Sequence, residues 1–345
     1  MEYSQIYEEF GEPFTGRKRR KLEEFLHSME LKYDEGLEYT VNLVTQDGQI
    51  AATGSLQNNV IKCVAVDDRF QGMGLSSRLV TLLMNKATEK GIDHLFIFTK
   101  PKNLAMFSDF GFYPILKTND VLFMENRKNG ITQYVQSLER PEGEQKTVGA
   151  IVANCNPFTN GHRYLIETAA SMCDVLHLFI LSEDRSVFPA AVRYELAKKG
   201  IEGLDNVILH HTSDYLISSA VFPTYFIKEQ GRAEEINCEL DLRIFCEYFA
   251  KELGITKRFV GTEPFCAVTS AYNRTMKNIL PEYGVEVVEI ERKREDDIQI
   301  SASKVRDCLV KGDYDSISRI VPPSTLDYLR SEGGQEIARK LAQKQ

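Results

Sequence analysis

Residues 148–172 read VGAIVANCNPFTNGHRYLIETAASM: an apolar run, a short polar loop, then apolar residues at helical spacing. VGAIVA has no polar alternation, which predicts a strand buried on both faces. The pattern repeats downstream. VLHLFIL (175–181), VILHHT (207–212), RFVGT (258–262) and VEVVEI (285–290) predict strands, separated by the helical stretches AVRYELAKKGI (191–201) and LDLRIFCEYFAKEL (240–253). Strand–helix alternation with doubly buried strands predicts a parallel sheet with helices on both faces, and such sheets bind ligands at the carboxyl ends of their strands.

Upstream the pattern differs. LEYTVNLVTQ (37–46) and QIAATGSLQ (49–57) flank Asp47-Gly48, a hairpin dipeptide, and Asn58-Asn59 leads into VIKCVAV (60–66), so three antiparallel strands are expected. Leu75, Leu79, Leu82 and Leu83 recur at helical spacing from Met73 to Lys90, before Gly91. HLFIFT (94–99) and VLFME (121–125) predict strands, with a short helix over Asn103–Asp109. This half is α+β. The polar stretch ERPEGEQKT (139–147) predicts a linker, dividing the chain into domains 1–140 and 141–345. The fold class expected is α/β: an N-terminal α+β domain and a C-terminal Rossmann-like domain with a parallel sheet.

At 345 residues the chain exceeds the size of a single growing core. A formal charge of −8 argues against nucleic acid as a partner, because phosphate neutralisation drives that binding. The cluster Arg17–Lys21 reads as a solvated helix face. No apolar run reaches the ~18 residues that span a bilayer, and the N-terminus is acidic without an apolar h-region, so no membrane association and a cytoplasmic location are expected. Seven cysteines without a CxxC pair indicate neither a disulfide framework nor a zinc site. Cys155 reads as a buried structural thiol.

The loop Asn154-Cys155-Asn156-Pro157-Phe158-Thr159-Asn160-Gly161-His162 joins a strand's carboxyl end to a helix start, where free N–H groups and the macrodipole favour an anion. Gly161 permits close backbone approach, and His162 adds a side-chain donor. A second anion site is expected at ISASKVR (300–306), with Ser301 as N-cap and Ser303, Lys304 and Arg306 toward a phosphate. Taken singly, a capping histidine and a capped surface helix account for these two stretches. Together they describe a site that stabilises charge as pyrophosphate leaves a triphosphate.

The TxGH sequence after the first strand and ISxSxxR about 140 residues later resemble the two signatures of the HxGH nucleotidyltransferase superfamily, with Thr159 in place of the first histidine. That resemblance implies ATP phosphate contacts from His162, Ser301, Ser303 and Arg306, with catalytic roles for His162, Ser303 and Arg306. It further implies ATP contacts from Asn154, Asn156, Phe158, Thr159, Gly161, Arg185 and Lys304, and adenosine contacts from Gly261, Thr262 and Glu263. In the N-terminal half, Arg69-Phe70-Gln71-Gly72-Met73-Gly74 lies between a strand and a helix and resembles the CoA pyrophosphate loop of the GNAT acetyltransferases. Arg69, Gln71, Gly72 and Gly74 would then bind a CoA-like group. Where that family commonly carries a proton-donating tyrosine, four residues before Gly111-Phe112, this chain has Phe107; Tyr113 reads as a packed aromatic rather than a substitute acid. A cleft kept for binding, without acetyl transfer, is expected.

A GNAT-like domain fused to an HxGH-type nucleotidyltransferase domain through NxNPFTxGHRYLIE resembles the citrate (pro-3S)-lyase ligases, also called acetate:SH-citrate-lyase ligases. That family implies activation of acetate by ATP with Mg²⁺ to acetyl adenylate. Acetyl then passes to the thiol of a CoA-like prosthetic group on the acyl carrier subunit of citrate lyase, switching on citrate fermentation. A cofactor adenylyltransferase acting on phosphopantetheine or a mononucleotide would share every C-terminal motif. A GNAT acetyltransferase, and a non-enzymatic nucleotide and CoA sensor, also remain open at this point.

Overall fold

In the computed structural model, which describes residues 5–183, 186–216, 222–227, 230–262, 267–292, 294–295 and 298–343, the chain forms two units. The first comprises Met1–Ile131 and Phe222–Leu240; the second comprises Thr132–Val221 and Asp241–Gln345.

The first unit is built on a seven-stranded sheet of β1 (Tyr7–Gly11), β2 (Tyr39–Val44), β3 (Ile50–Gln57), β4 (Val60–Val66), β5 (Phe96–Thr99), β6 (Tyr113–Lys117) and β7 (Leu122–Glu125), in the order β1-β2-β3-β4-β5-β7-β6. The hairpin strands β2, β3 and β4 lie where the alternation and the two-residue turns place them. β1 and β6, both at sheet edges, carry too little apolar pattern to be read from sequence; YEEFG is acidic and β6 contains Pro114. Tyr113 is not the packed aromatic expected: it stands on the edge strand with 41% exposure. Helices α1 (Gly16–Ser28), α2 (Leu75–Glu89) and α3 (Leu104–Asp109) belong to this unit, and α4 (Gly130–Gln136) follows β7. Leu75, Leu79, Val80, Leu83 and Ala87 form the buried stripe of α2 and join the core with β2–β5.

All pairings in this sheet are antiparallel except β4 with β5, which run parallel and pair only at Val60↔Phe96 and Ile61↔Ile97 before diverging. Diverging strands leave unpaired backbone groups that must find other partners. The segment 222–227, distant in sequence, supplies them. Tyr225 is 6% exposed, its hydroxyl donates to the Phe98 carbonyl at 2.9 Å, and its carbonyl accepts from the Lys32 N–H at 2.9 Å. A void of only about 30 Å³ remains beside it.

The second unit has a five-stranded, wholly parallel sheet of β8 (Val148–Ala153), β9 (Val175–Ile180), β10 (Val207–His211), β11 (Lys257–Gly261) and β12 (Glu286–Ile290), ordered β10-β9-β8-β11-β12. The order reverses at β8, so the loop after β8 opens at the switch point where such sheets bind ligands. Helices α5 (Asn160–Ala170) and α6 (Ala190–Gly200) follow β8 and β9. The apolar stretch 240–253 is a rod in which α7 (Ala233–Ile244) continues through a π-helical turn, Phe245–Ala250, into α8 (Lys251–Leu253). Then come α9 (Ala267–Ile279), a two-residue hairpin of β13 (Arg294–Glu295) and β14 (Ile298–Gln299), and helices α10 (Ala302–Lys311), α11 (Tyr314–Ile320), α12 (Pro323–Arg330) and α13 (Glu332–Ala342). The last four share a small core around Val305, Leu309, Ile317 and Leu329. No described helix is long and apolar enough to cross a membrane.

Candidate active site

The β8–α5 loop is shaped from beneath by a residue that sequence reading passes over. Arg193, on α6, is wholly buried; its guanidinium donates to the carbonyls of Asn154 (3.0 Å), Leu181 (2.7 Å), Phe188 (3.0 Å) and Glu183, and to Asn154 Oδ1 (2.7 Å). Asn154 also exchanges hydrogen bonds with Ser186, and Asn156 Oδ1 accepts from the Phe188 N–H at 2.9 Å. Both asparagines thus fasten the loop while lining the cavity above it. Nothing local in AVRYELAKKGI distinguishes Arg193 from a surface arginine; only its placement under two loops does.

Thr159 caps α5. Its hydroxyl accepts from the His162 N–H (3.3 Å), and the His162 ring returns the bond by accepting the Thr159 N–H at Nδ1 (3.0 Å). This is a capping box with histidine in the place usually taken by Glu or Gln. Because Nδ1 accepts, the neutral ring carries its proton on Nε2. Burial, with the Arg292 charge adding to it, pushes the His162 pKa down to about 4, so the ring is neutral at physiological pH with Nε2–H as its donor atom.

Ser301 caps α10, accepting from the Lys304 N–H at 3.1 Å. Arg306, one turn in, reaches across to the Asn156 carbonyl at 2.6 Å and holds Ser303 Oγ at 3.0 Å. The approach is close: a Cβ on Gly161 would lie 3.3 Å from Ile300 Cγ2 and 3.4 Å from the Ile300 carbonyl. Glycine lets the segment before α10 seat against the first turn of α5 without displacing Ile300, which a Cβ would press by a few tenths of an ångström. The two helix N-termini, at Asn160 and Ala302, open on one cavity of about 520 Å³.

Of the residues expected at the site, Asn154, Asn156, Thr159, Gly161, His162, Gly261, Ser301, Ser303 and Arg306 line that cavity. Phe158 does not: it is fully buried in the core against Gly200, where a Cβ would stand 2.3 Å from its ring. An apolar ring one residue before the cap points down into the sheet–helix interface. Lys304 is exposed and absent from the cavity wall, because the capped turn directs position N3 outward. Thr262 also stands off the wall and secures Arg292 instead, its carbonyl accepting from Nε at 2.7 Å. Arg185 and Glu263 lie outside the described residues. Arg292 and Arg258, which the sequence did not single out, line the cavity. Cys155 is buried, and its thiol is pushed up to about 12 by burial, in keeping with a structural role.

In the first unit, the loop before α2 places Gly72 at φ +79° and Gly74 at φ +72°, both in open space, so conformation rather than packing demands glycine there. Gly74 is the N-cap of α2. Arg69 is exposed and folded back on Asp67 at 2.7 Å, and Gln71 donates to Asp68 at 2.5 Å. Phe107 is buried in the core, with no polar atom to offer.

With this geometry in hand, comparison with known proteins yields two family matches: residues 148–329 fit the family model described as the citrate lyase ligase C-terminal domain, and residues 3–112 fit that of the acetyltransferase (GNAT) family. The chain is 43% identical over 321 residues, 91% of each sequence, to citrate (pro-3S)-lyase ligase of Escherichia coli (strain K12). It is 42% identical over 317 residues, 90% of this chain and 92% of the relative, to the Klebsiella pneumoniae protein of the same name. Among solved structures, Thermotoga maritima TmcAL bound with alpha-thio ATP matches 56% of this chain and 57% of its own, at 12% identity and a TM-score of 0.39.

Proposed function

The chain belongs to the citrate (pro-3S)-lyase ligase family, and from that premise we propose that it joins acetate to ATP as acetyl adenylate and passes the acetyl group to a CoA-like prosthetic-group thiol on the acyl carrier subunit of citrate lyase. The observation that carries the adenylation step is the meeting of two capped helix starts on one cavity, with His162, Ser303 and Arg306 between them.

In this reading the triphosphate lies across the N-termini of α5 and α10, where uncommitted first-turn N–H groups and both macrodipoles favour negative charge. An acetate oxygen attacks the α-phosphorus; the new O–P bond forms as the bond to the bridging oxygen breaks, and pyrophosphate leaves with the electron pair. No general base is required, since carboxylates of this kind titrate at about 4 to 5. His162, donating through Nε2, and Arg306, fixed by the Asn156 carbonyl, supply preorganised positive potential where charge builds up. Burial lowers the Arg306 pKa from its very high ordinary value and leaves it a cation. Magnesium would enter with the nucleotide and would help neutralise charge on the departing pyrophosphate. The loop Arg69–Gly74 before α2 takes the CoA-like group of the acceptor, domains 1–140 and 141–345 divide binding from adenylation, and the reaction is cytoplasmic.

The test is acetate-dependent exchange of labelled pyrophosphate into ATP by the purified chain, without citrate lyase. Exchange that requires acetate is the expected result. No exchange, even after adding deacetylated citrate lyase, would hand the site to a cofactor adenylyltransferase.

A further inference from the structure

β11 is an inner strand of the second unit's sheet, between the central β8 and the edge strand β12, and successive residues of a strand face opposite sides. Phe259 points into the core beneath α5, which sends its neighbour Arg258 to the other face. There the guanidinium is 3% exposed and sits 4.4 Å above the ring of Phe245, from the π-helical turn. Among the described residues its Nε and Nη1 have no hydrogen-bond partner, and it makes no ion pair. Asp241 and Tyr272 act on it only through space, and the Asp241 carboxylate is engaged by the Tyr272 hydroxyl at 2.5 Å. A buried cation with orphaned donors is costly and rare unless an anion completes it. Arg258 lines the same cavity as His162, Ser303 and Arg306.

We propose that Arg258 is the residue that binds the carboxylate of the acyl substrate. This rests on the adenylation reading above and adds to it where the second substrate sits. The cavity has phosphate-binding donors at the α5 and α10 starts. Arg258 gives it a second cationic wall, on the α9 side, bounded by Tyr272, Asn273 and the apolar side chain of Met276. A short carboxylate fits that arrangement: one oxygen on the guanidinium, the other directed at the α-phosphorus, and the alkyl group against Met276. Once the adenylate has formed, the oxygen left on Arg258 is the acyl carbonyl. A thiolate attacking that carbon forms the C–S bond and puts the electron pair on the same oxygen; collapse expels AMP. One guanidinium thus serves both halves of the reaction.

Pyrophosphate exchange on the full chain, with acetate and ATP varied separately, tests this. Arg258→Met is expected to raise the KM for acetate at least ten-fold and leave that for ATP within two-fold, with Arg258→Lys between it and the wild type. Met276→Ala is expected to improve propionate relative to acetate. A lower rate with an unchanged acetate KM in Arg258→Met and Arg258→Lys would make Arg258 a packing residue, and a raised ATP KM would assign it to the nucleotide; either overturns the proposal. If Arg258→Met does not fold, Arg258→Lys carries the same KM comparison. Failure of the wild type itself to show acetate-dependent exchange, even with deacetylated citrate lyase added, would instead sink the adenylation reading, and the acetate role with it.

Discussion

His162 has two jobs on one ring. Nδ1 closes the capping box with Thr159, and Nε2 is left as the donor for the cavity. Substitution separates them. His162→Gln can rebuild the cap, since Gln is a usual partner at that position, but it removes the imidazole; His162→Ala loses both. Both variants are expected to lower kcat of pyrophosphate exchange on the order of 10²–10³-fold, whereas only the alanine is expected to lose ~1 kcal/mol of stability, as cap removals do. Equal melting temperatures for the two would refute the capping role, and an undiminished rate in His162→Gln would refute the donor role. At this scale the sequence was a good guide where chemistry follows from local spacing: TxGH and ISxSxxR each carry their own cap. It failed at Phe158 and Lys304, whose directions are decided by what the turn packs against.

Among elements, the β4–β5 wedge shows how far a segment can act from its place in the chain. The strands pair over two positions and then diverge, and Tyr225 fills the gap from more than 120 residues downstream. Tyr225→Phe removes one buried hydrogen bond and is expected to cost about 1 kcal/mol. Tyr225→Ala leaves a cavity and is expected to cost about 3–5 kcal/mol, the range for truncating a large buried aromatic. Urea unfolding followed by a probe in the first unit would measure both; a cost below 1 kcal/mol for the alanine would mean that the segment merely rests on the sheet. The strands β2–β5 and β8–β12 were legible because continuous or alternating apolar runs write their own period. The edge strands β1 and β6 were not, since a strand paired on one side needs little apolar pattern.

For the whole molecule, pH dependence follows from buried neutral histidines. His177 Nδ1 and His210 Nε2 meet at 2.8 Å between β9 and β10, and burial lowers both pKa values, the largest cause in each case; His162 is lowered to about 4 in the same unit. In the unfolded chain each titrates near 6.5. Below that pH the unfolded state binds more protons than the folded one, so stability is full above about 6.5 and falls as pH drops toward 4. Each histidine adds a slope of up to ~1.4 kcal/mol per pH unit. Melting temperatures measured from pH 7.5 to 5 should fall toward acid, and replacing His177 and His210 together with apolar residues should flatten the curve. A curve unchanged by that double substitution would show that other groups set it.

What the sequence determined by itself was the set of local structures: doubly buried strands, capped helix starts, the glycine turn before α2 and the order of the TxGH and ISxSxxR stretches. These depend on residues a few positions apart. Only the tertiary structure decided that Gly161 lets Ile300 come within contact of α5, that Arg306 ties its helix to the Asn156 carbonyl, that Arg193 holds the loop from below, and that Arg258 is buried at the cavity wall. It also decided that residues 222–240 belong to the first unit. Each of these turns on burial and on contacts between residues far apart in the chain, which no local period encodes.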